Sequence, residues 1–256
     1  MTDDIALRAR RRTRAIGVVA STVLLAITAG VTGLVVALNG QTGATATGQG
    51  GPGTAGPGAL HVTTEPADPA PLSTAPSSTV AWTTVAGAGV PVSATAGPAD
   101  SAGGRARGFA RTPFGAVLAA AHISVRLSPQ AGPAVFEPTL RDQVVGPDAA
   151  ALADRVEDDY QQARAQLGLP HGEPAGRLYS TIRGYQVDVE SIDRPTVRLL
   201  IEGPGASGGS VLVSLVSELQ WVDGDWALVA PADGDWSTET SVVTDGAGFK
   251  RFADGG

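Results

Sequence analysis

The sequence predicts an α+β fold in which an N-terminal transmembrane helix and a disordered linker precede helices packed on a curved antiparallel sheet, a cone-like roll. Three observations predict it: one apolar segment of membrane-spanning length, a Gly- and Pro-rich stretch after it, and helical periodicity that later gives way to strand alternation. A chain of 256 residues with such a low-complexity stretch has room for one sizeable core. We therefore divide it into a cytoplasmic Arg-rich tail (1–14), a transmembrane helix (15–38), a stalk (39–79) and an extracytoplasmic α+β domain (80–253).

The apolar segment is the first element. Residues 15–38 carry no charge, and as a helix they would extend about 36 Å, enough to cross a hydrocarbon core of about 30 Å. Five arginines stand just before this segment, and the next basic residue is Arg105. The positive-inside rule then predicts a cell-membrane protein with a cytoplasmic N-terminus and its C-terminal domain outside.

A cleaved secretory signal is the alternative interpretation of the same segment. Ala44 and Ala46 form a small-x-small pattern typical of a cleavage site. The apolar run is longer than the roughly 7 to 15 residues of a signal core, which favours a retained anchor. Small residues spaced by four, such as Ala26 and Gly30, also predict that two of these helices can approach closely, so a homo-oligomer is a further hypothesis.

The stalk and the charge distribution narrow the range of partners. Residues 39–79 are mostly Gly, Pro, Thr, Ser and Ala, which cannot bury a core and indicate a disordered spacer. The chain has 18 basic and 25 acidic residues; subtracting the five arginines and two aspartates of the tail leaves 13 basic and 23 acidic residues. Such an acidic domain repels a phosphate backbone, so no nucleic-acid partner is expected. The absence of cysteine excludes disulfides and thiolate metal sites.

Two helices are predicted in the domain, after a short hairpin turning at residues 87–89. Thr112 and Pro113 form an N-cap and first helical position, and this first helix should end before Pro129. The second helix begins after Asp148 and stops at Gly168. Its apolar residues recur on one face, and they are Leu152, Val156, Tyr160, Ala163 and Leu167.

The pattern changes to a period of two beyond Arg177. Gly184 is expected to mark a bulge in the first of these strands. The next two strands each place large apolar residues on one face, and the turn Asp223, Gly224 between apolar runs predicts a hairpin. The residues predicted to face the core are Val197, Leu199, Ile201, Val211, Val213, Leu215, Leu219 and Trp221.

No motif predicts a reaction. The sequence GASGG at residues 205–209 matches a serine nucleophile elbow around Ser207, but that elbow needs a helix after it and a strand pattern follows, which favours a hairpin loop. The three histidines, His61, His122 and His171, have no spacing suited to a metal. We therefore predict no catalytic residue, no cofactor and no metal.

Basic and aromatic clusters leave two smaller alternatives open. Arg105, Arg107 and Arg111 precede the first helix, where solvation is favoured over contact with an acidic partner or lipid headgroups. The C-terminal tryptophans could form a carbohydrate-stacking surface, although core packing is favoured for the first two and the third stays open; they are Trp221, Trp226 and Trp236.

The segments VPVSATAGP, ARGFARTPFGAVLAAAH, PAVFEPTLRDQVVGPDAAAL and WVDGDWALVAP together resemble a family of uncharacterised actinobacterial membrane-anchored proteins, over roughly residues 80 to 252. Such proteins are often encoded in integrative and conjugative elements, so the resemblance implies an accessory role in a conjugation or related secretion apparatus. It implies no catalytic residues. The layout is also similar to the bitopic scaffold subunits of type IV secretion systems, a similarity of architecture and not of motifs.

These observations favour a non-catalytic scaffold that acts through protein–protein contacts with other membrane or secretion subunits. The alternative is an extracytoplasmic enzyme or small-ligand-binding protein, with a pocket in a cone similar to that of ketosteroid isomerase. His122, Tyr160 and Tyr179 would be its candidate residues. A cell-wall or small-ligand sensor ranks last, because the 14-residue tail is too short for a signalling module.

Overall fold

The computed structural model describes residues 80–205 and 208–252. The tail, transmembrane helix and stalk predicted for residues 1–79 lie outside the described residues, as does Ser207. The predicted α+β class is confirmed: three helices pack against a mixed β-sheet, with a separate two-stranded hairpin beside them. None of the helices in the described part of the chain has the length and apolar character needed to span a membrane.

The hairpin pairs β1 (Ala81–Val85) with β2 (Ala88–Val92), as the sequence predicted. Its turn is Ala86 and Gly87, one residue earlier than expected, and Ala88 and Gly89 belong to the second strand. Both turn residues have positive φ, 52° and 91°, which is the backbone geometry that matches the twist of a two-residue hairpin.

Helix α1 (Pro113–Arg126) begins and ends where the sequence predicted. The hydroxyl of Thr112 accepts a hydrogen bond from the Gly115 amide at 3.0 Å, which caps the N-terminus, and Pro113 occupies the first helical position. Every residue from Gly115 to Arg126 is buried, because the helix packs across the sheet on one side and against β2 on another. It is the central element of the core.

Helix α3 (Ala149–Leu167) also confirms its prediction. It follows Asp148 and ends at Gly168, which takes the left-handed conformation at φ 67°. Four of the five predicted apolar residues are buried, whereas Leu167 is 51% exposed at the last turn.

Helix α2 (Pro133–Gln143) was missing from the sequence prediction, which placed no element between the other two. Pro138 lies inside it, and an internal proline lacks the N–H of the helical hydrogen bond and disfavours a helix. Tertiary packing stabilises it nonetheless: Phe136 is buried, with its ring centroid 5.3 Å from that of Tyr160 on α3.

The large sheet contains seven strands in the order β3-β7-β6-β5-β4-β9, and β8 also pairs with β6. Their bounds are β3 Val144–Val145, β4 Thr181–Ser191, β5 Arg194–Pro204, β6 Ser210–Val222, β7 Asp225–Val229, β8 Thr240–Val243 and β9 Lys250–Arg251. The expectation of a wholly antiparallel sheet was wrong, because β3 runs parallel to β7. Nor do the described strands close into a barrel: β3 and β9 stand at opposite ends of the sheet.

Within this sheet most of the predicted strand details hold, but Val211 and Trp221, which were predicted to face the core, are only partly buried. The register of β4 against β5 shifts between Ile182 and Gly184, the predicted bulge. A side chain at Gly184 would come within 2.7 Å of the Lys250 carbonyl oxygen, so the close approach of β9 requires glycine there. Asp223 and Gly224 form the β6–β7 turn with φ 52° and 86°.

The strands β7 and β8 run along the same edge of β6 with a gap between them. β7 pairs with residues 219–222 of β6 and β8 with residues 212–215. The chain between them, residues 230–239, leaves the sheet and forms a 3-10 turn at Ala232–Gly234; we call it the excursion. Residues 216–218 of β6 therefore have no strand paired with them on that edge, although the Val216 amide donates to the Glu239 carbonyl oxygen of the excursion at 2.8 Å.

Candidate functional site

His122 lies in the middle of α1 with no exposed surface. Its Nε2 is 2.8 Å from the Pro91 carbonyl oxygen, and its Nδ1 is 2.8 Å from an Arg126 guanidinium nitrogen. A carbonyl only accepts and a guanidinium only donates, so Nε2 carries the proton, Nδ1 accepts and the ring is neutral. Burial, followed by the charge of Arg126, lowers the pKa of His122 to about 4.

Arg126 is buried beside His122 and also donates to the His122 carbonyl oxygen at 3.3 Å. Burial lowers the pKa of Arg126 to about 10, so its guanidinium stays charged at neutral pH. Both ring nitrogens of His122 are thus occupied by structural hydrogen bonds: the one from Nε2 ties α1 to β2, and the one to Nδ1 lies within α1.

The hydroxyl of Tyr160 is also engaged in hydrogen bonds that stabilise the fold. It is buried on α3, where its hydroxyl donates to the Glu173 carbonyl oxygen at 3.0 Å and accepts from the Gly172 amide at 2.9 Å. These bonds fix the segment that follows the helix. Tyr179, the third candidate of the enzyme alternative, is 70% exposed.

The structure does not bring the three candidates together. His122, Tyr160 and Tyr179 line neither of the two cavities described below. In the described part of the chain, no group of three or more histidine, aspartate and glutamate residues is placed to hold a metal ion. Ser207 lies outside the described residues, and the strand β6 begins at Ser210, where a nucleophile elbow would need a helix.

The basic residues before α1 are paired within the domain, although the side chains of Arg107 and Arg111 stay about half exposed, as the predicted solvation requires. Arg105 and Arg107 both contact the Asp142 carboxylate at the end of α2, and Arg111 forms a two-pronged pair with Asp193 at 2.7 and 2.6 Å. Hydrogen bonds from Arg141 and Arg105 lower the pKa of Asp142.

Two of the three C-terminal tryptophans are core residues. Trp226 is buried, as predicted, and its indole N–H donates to the Ala110 carbonyl oxygen at 2.9 Å. Trp236, whose place the sequence left open, is 6% exposed. Trp221 is only half-buried; it contacts Trp226 edge-on with centroids 5.1 Å apart, and the Arg111 guanidinium lies 5.8 Å from its ring centroid. The exposed surface of these rings does not make a carbohydrate-stacking row.

The β4–β5 hairpin end carries exposed apolar side chains. Val189 and Ile192 are 45% and 52% exposed. The Trp221 amide donates to the Asp193 carbonyl oxygen at 2.9 Å, which fixes the half-buried indole at the same end of the sheet. We call the surface formed by Val189, Ile192 and Trp221 the hairpin patch.

A groove of about 320 Å³ lies at the gap between β7 and β8, and we call it the edge groove. Its floor is the unaccompanied stretch of β6 and its wall is the excursion. Four of the ten lining residues are polar, two of these carry carboxylates, and none is basic; the residues are Thr196, Val216, Ser217, Glu218, Val229, Ala230, Pro231, Ala232, Trp236 and Glu239.

A second cavity, between α1, α3 and the excursion, has a volume of only about 20 Å³. Ser124, Arg155 and Asp159 are among its lining residues, and burial raises the pKa of Asp159. This space has room for about one water molecule and none for an organic substrate.

Sequence reasoning missed the edge groove because its residues come from three separate stretches of the chain. One signal was available. Pro231 and the second Asp-Gly pair, Asp233 and Gly234, interrupt the alternation of the last strands, and an interruption of this kind predicts that the edge of a sheet is left incomplete.

Comparison with known proteins gives one finding. The family model described as a domain of unknown function, DUF8175, matches residues 43–251, and thus includes most of the predicted stalk as well as the domain. Neither the curated proteins nor the solved structures contain a match. Since the family model covers well over half of the 256 residues, the chain belongs to the DUF8175 family.

Proposed function

We propose that this chain is a non-catalytic, membrane-anchored accessory or scaffold protein of a conjugative transfer or related secretion apparatus, whose outer domain acts through protein–protein contacts. The observation that carries the proposal is the uncharged segment 15–38 with arginines on one side and an acidic domain on the other. That layout anchors the domain at the outer membrane face.

The described domain supports a binding role over a catalytic one. Two of the candidates for an acid or base, His122 on α1 and Tyr160 on α3, hold helices and loops together through hydrogen bonds to main-chain groups. Two of the six large apolar side chains that are exposed in the described part of the chain, Val189 and Ile192, lie at the hairpin patch, beside the Arg111–Asp193 pair. Exposed apolar groups with a charged rim are typical of protein interaction sites.

Photo-crosslinking in intact cells tests the proposal. A photoreactive amino acid in place of Ile192 should capture other membrane or secretion subunits, which mass spectrometry identifies. Leu167 is the matched control, since it is equally exposed at 51% but lies at the end of α3. Recovery of such subunits from position 192 and not from 167 supports the proposal, whereas recovery from neither, or release of the mature protein into the culture fluid, overturns it.

A further inference from the structure

Strand β4 has one edge that no described strand covers over about half of its length. On one side β4 pairs with β5, whereas on the other side β9 pairs only with Gly184 and Tyr185. We call residues 186–191 on that side the open edge. Every second residue there points its N–H and C=O groups away from the described sheet. The open edge is about 20 Å long, and an exposed edge of this length is a template for a further strand.

The two faces of the open edge have different side chains. Val187 pairs with the buried Val197, so Val187 and Val189 lie on the face of the sheet that carries the core, and both valines keep exposed surface. Gln186 and Asp188 lie on the opposite face. A strand that fits this edge therefore has apolar residues two positions apart and brings no further negative charge beside Asp188.

A second copy of β4 fits the open edge poorly. Antiparallel pairing centred on Asp188 would set two aspartates directly opposite each other, which is destabilising. Pairing centred on Val187 would bring the second copy up to Tyr185, whose edge β9 already occupies. These charges and contacts favour a different strand as the occupant.

The stretch of chain that precedes the described domain contains a segment with the required alternation. The only large apolar residues within 43–79 are Leu60, Val62 and Leu72. Leu60 and Val62 are two positions apart, and a polar residue follows each of them, so in a strand they share one face. Residues 58–65 contain no proline, whereas a proline directly precedes Leu72 and disfavours a strand there.

The described chain also begins close to the open edge. Val80 is its first residue, and the ring of Trp82 lies 5.7 Å from that of Phe252, which lies 4.9 Å from that of Tyr185 on β4. The fifteen residues 65–79 would reach about 46 Å when extended at roughly 3.1 Å per residue. This reach is more than twice the length of the open edge, so the connection can serve any position on it.

We propose that residues 59–64 add to the open edge as a further β-strand, with Leu60 and Val62 packed on its two exposed valines. The segment is uncharged apart from any protonation of His61, which in this register lies on the same face as Asp188. The DUF8175 family model begins at residue 43, so the segment belongs to the unit that the family shares.

The added strand changes the surface and the reach of the domain. It covers the Val189 side of the hairpin patch and leaves Ile192, in the turn after β4, free for a partner. Residues 39–58 then form the spacer to the predicted anchor, about half the length of the predicted stalk 39–79. The inference goes beyond the proposed function and does not rest on it, because the strand comes from the same chain.

Hydrogen–deuterium exchange of the full-length protein in detergent, measured by mass spectrometry, tests the inference. The backbone amides of the open edge should exchange roughly tenfold faster in Leu60→Ser/Val62→Ser than in the wild type, because the serines remove the apolar contacts that hold the strand. Leu72→Ser is the matched control and should leave the exchange unchanged. Equal exchange of the open edge in the wild type and the double variant overturns the inference, as does an equal acceleration in Leu72→Ser.

A crosslink locates the segment, since the chain has no native cysteine. In Val62→Cys/Val189→Cys, a short bis-maleimide should join the two positions within one chain. Val62→Cys/Val242→Cys is the control, because Val242 is about as exposed as Val189 but lies on β8. The inference is wrong if position 189 gives no crosslink or if position 242 gives an equal yield. Crosslinked dimers would show that the strand comes from a second copy, which also overturns it.

Discussion

At the scale of single residues, the buried pair His122 and Arg126 shows how polar groups hold this core in place. Two basic side chains lie side by side in α1, and no carboxylate contacts either of them among the described residues. The pair persists because His122 is neutral and accepts from Arg126 while it donates to Pro91. A buried charge is tolerated when its hydrogen bonds are made.

This arrangement predicts a loss of stability in mild acid. The pKa of His122 is about 4 in the folded protein, below the 6.5 of an exposed imidazole. Between these two pH values His122 is therefore protonated in the unfolded chain but neutral in the folded protein. The free energy of unfolding should therefore fall as the pH drops from about 6.5 to about 4, by about 3 kcal/mol from this residue. Above pH 6.5 the histidine contributes no pH dependence.

Urea unfolding of the wild type and of His122→Gln at pH 7, 5.5 and 4.5 measures the effect. Glutamine keeps a hydrogen-bond donor and an acceptor but does not titrate. All other titratable groups are the same in the wild type and the variant. The wild type should lose more stability on acidification than the variant does. Parallel pH profiles for the two proteins would contradict the assignment.

At the scale of elements, the contact between the excursion and α3 depends on Gly234. This residue has φ 66°, and a side chain there would lie 2.4 Å from the Leu152 amide nitrogen of the helix. Only glycine lets the two backbones approach so closely. The contact positions the excursion, and with it the outer wall of the edge groove.

Gly234→Ala should therefore be strongly destabilising. Gly224 is the matched control: its φ is 86°, and nothing lies within 4 Å of an added side chain. Gly224→Ala should cost about 1 to 2 kcal/mol from backbone strain alone, whereas Gly234→Ala should cost about 2 kcal/mol more because the clash forces the excursion off α3. Denaturant midpoints of the two variants give the comparison, and equal midpoints would show that the contact is unimportant.

At the scale of the whole molecule, the proposed scaffold function requires the N-terminal tail and the C-terminal domain to lie on opposite sides of a membrane. The tail is basic, whereas the described domain pairs most of its arginines internally, as with Arg111 and Asp193 or Arg194 and Glu218. The described domain therefore offers little unpaired basic surface. The segment 15–38 between them remains a predicted anchor.

Placing charges in that segment should release the protein from the membrane. In Leu24→Arg/Leu25→Arg, two arginines near the centre of the segment cost about 2.5 to 3.5 kcal/mol each on insertion. The wild type should stay in the membrane pellet after an alkaline wash, and the double variant should not. The thermal unfolding of the domain should be the same in both, since the substitutions lie outside it. A wild type that washes off the membrane would exclude the anchor.

The sequence by itself determined the local elements whose signals are contained in a few neighbouring residues. The Thr112 cap, the stop at Gly168, the Gly184 bulge and the Asp223–Gly224 turn all lie where they were predicted. Capping, left-handed glycine and turn geometry depend on adjacent groups, so they can be read without the fold.

Tertiary structure alone decided the rest. It stabilised α2 despite Pro138, set the parallel pairing of β3 with β7, occupied both nitrogens of His122 and opened the edge groove between segments far apart in the chain. Each of these depends on which distant groups meet, and the burial of apolar surface that brings them together is non-directional. The pattern of apolar residues predicts that they are buried, but the tertiary packing determines which residues they contact.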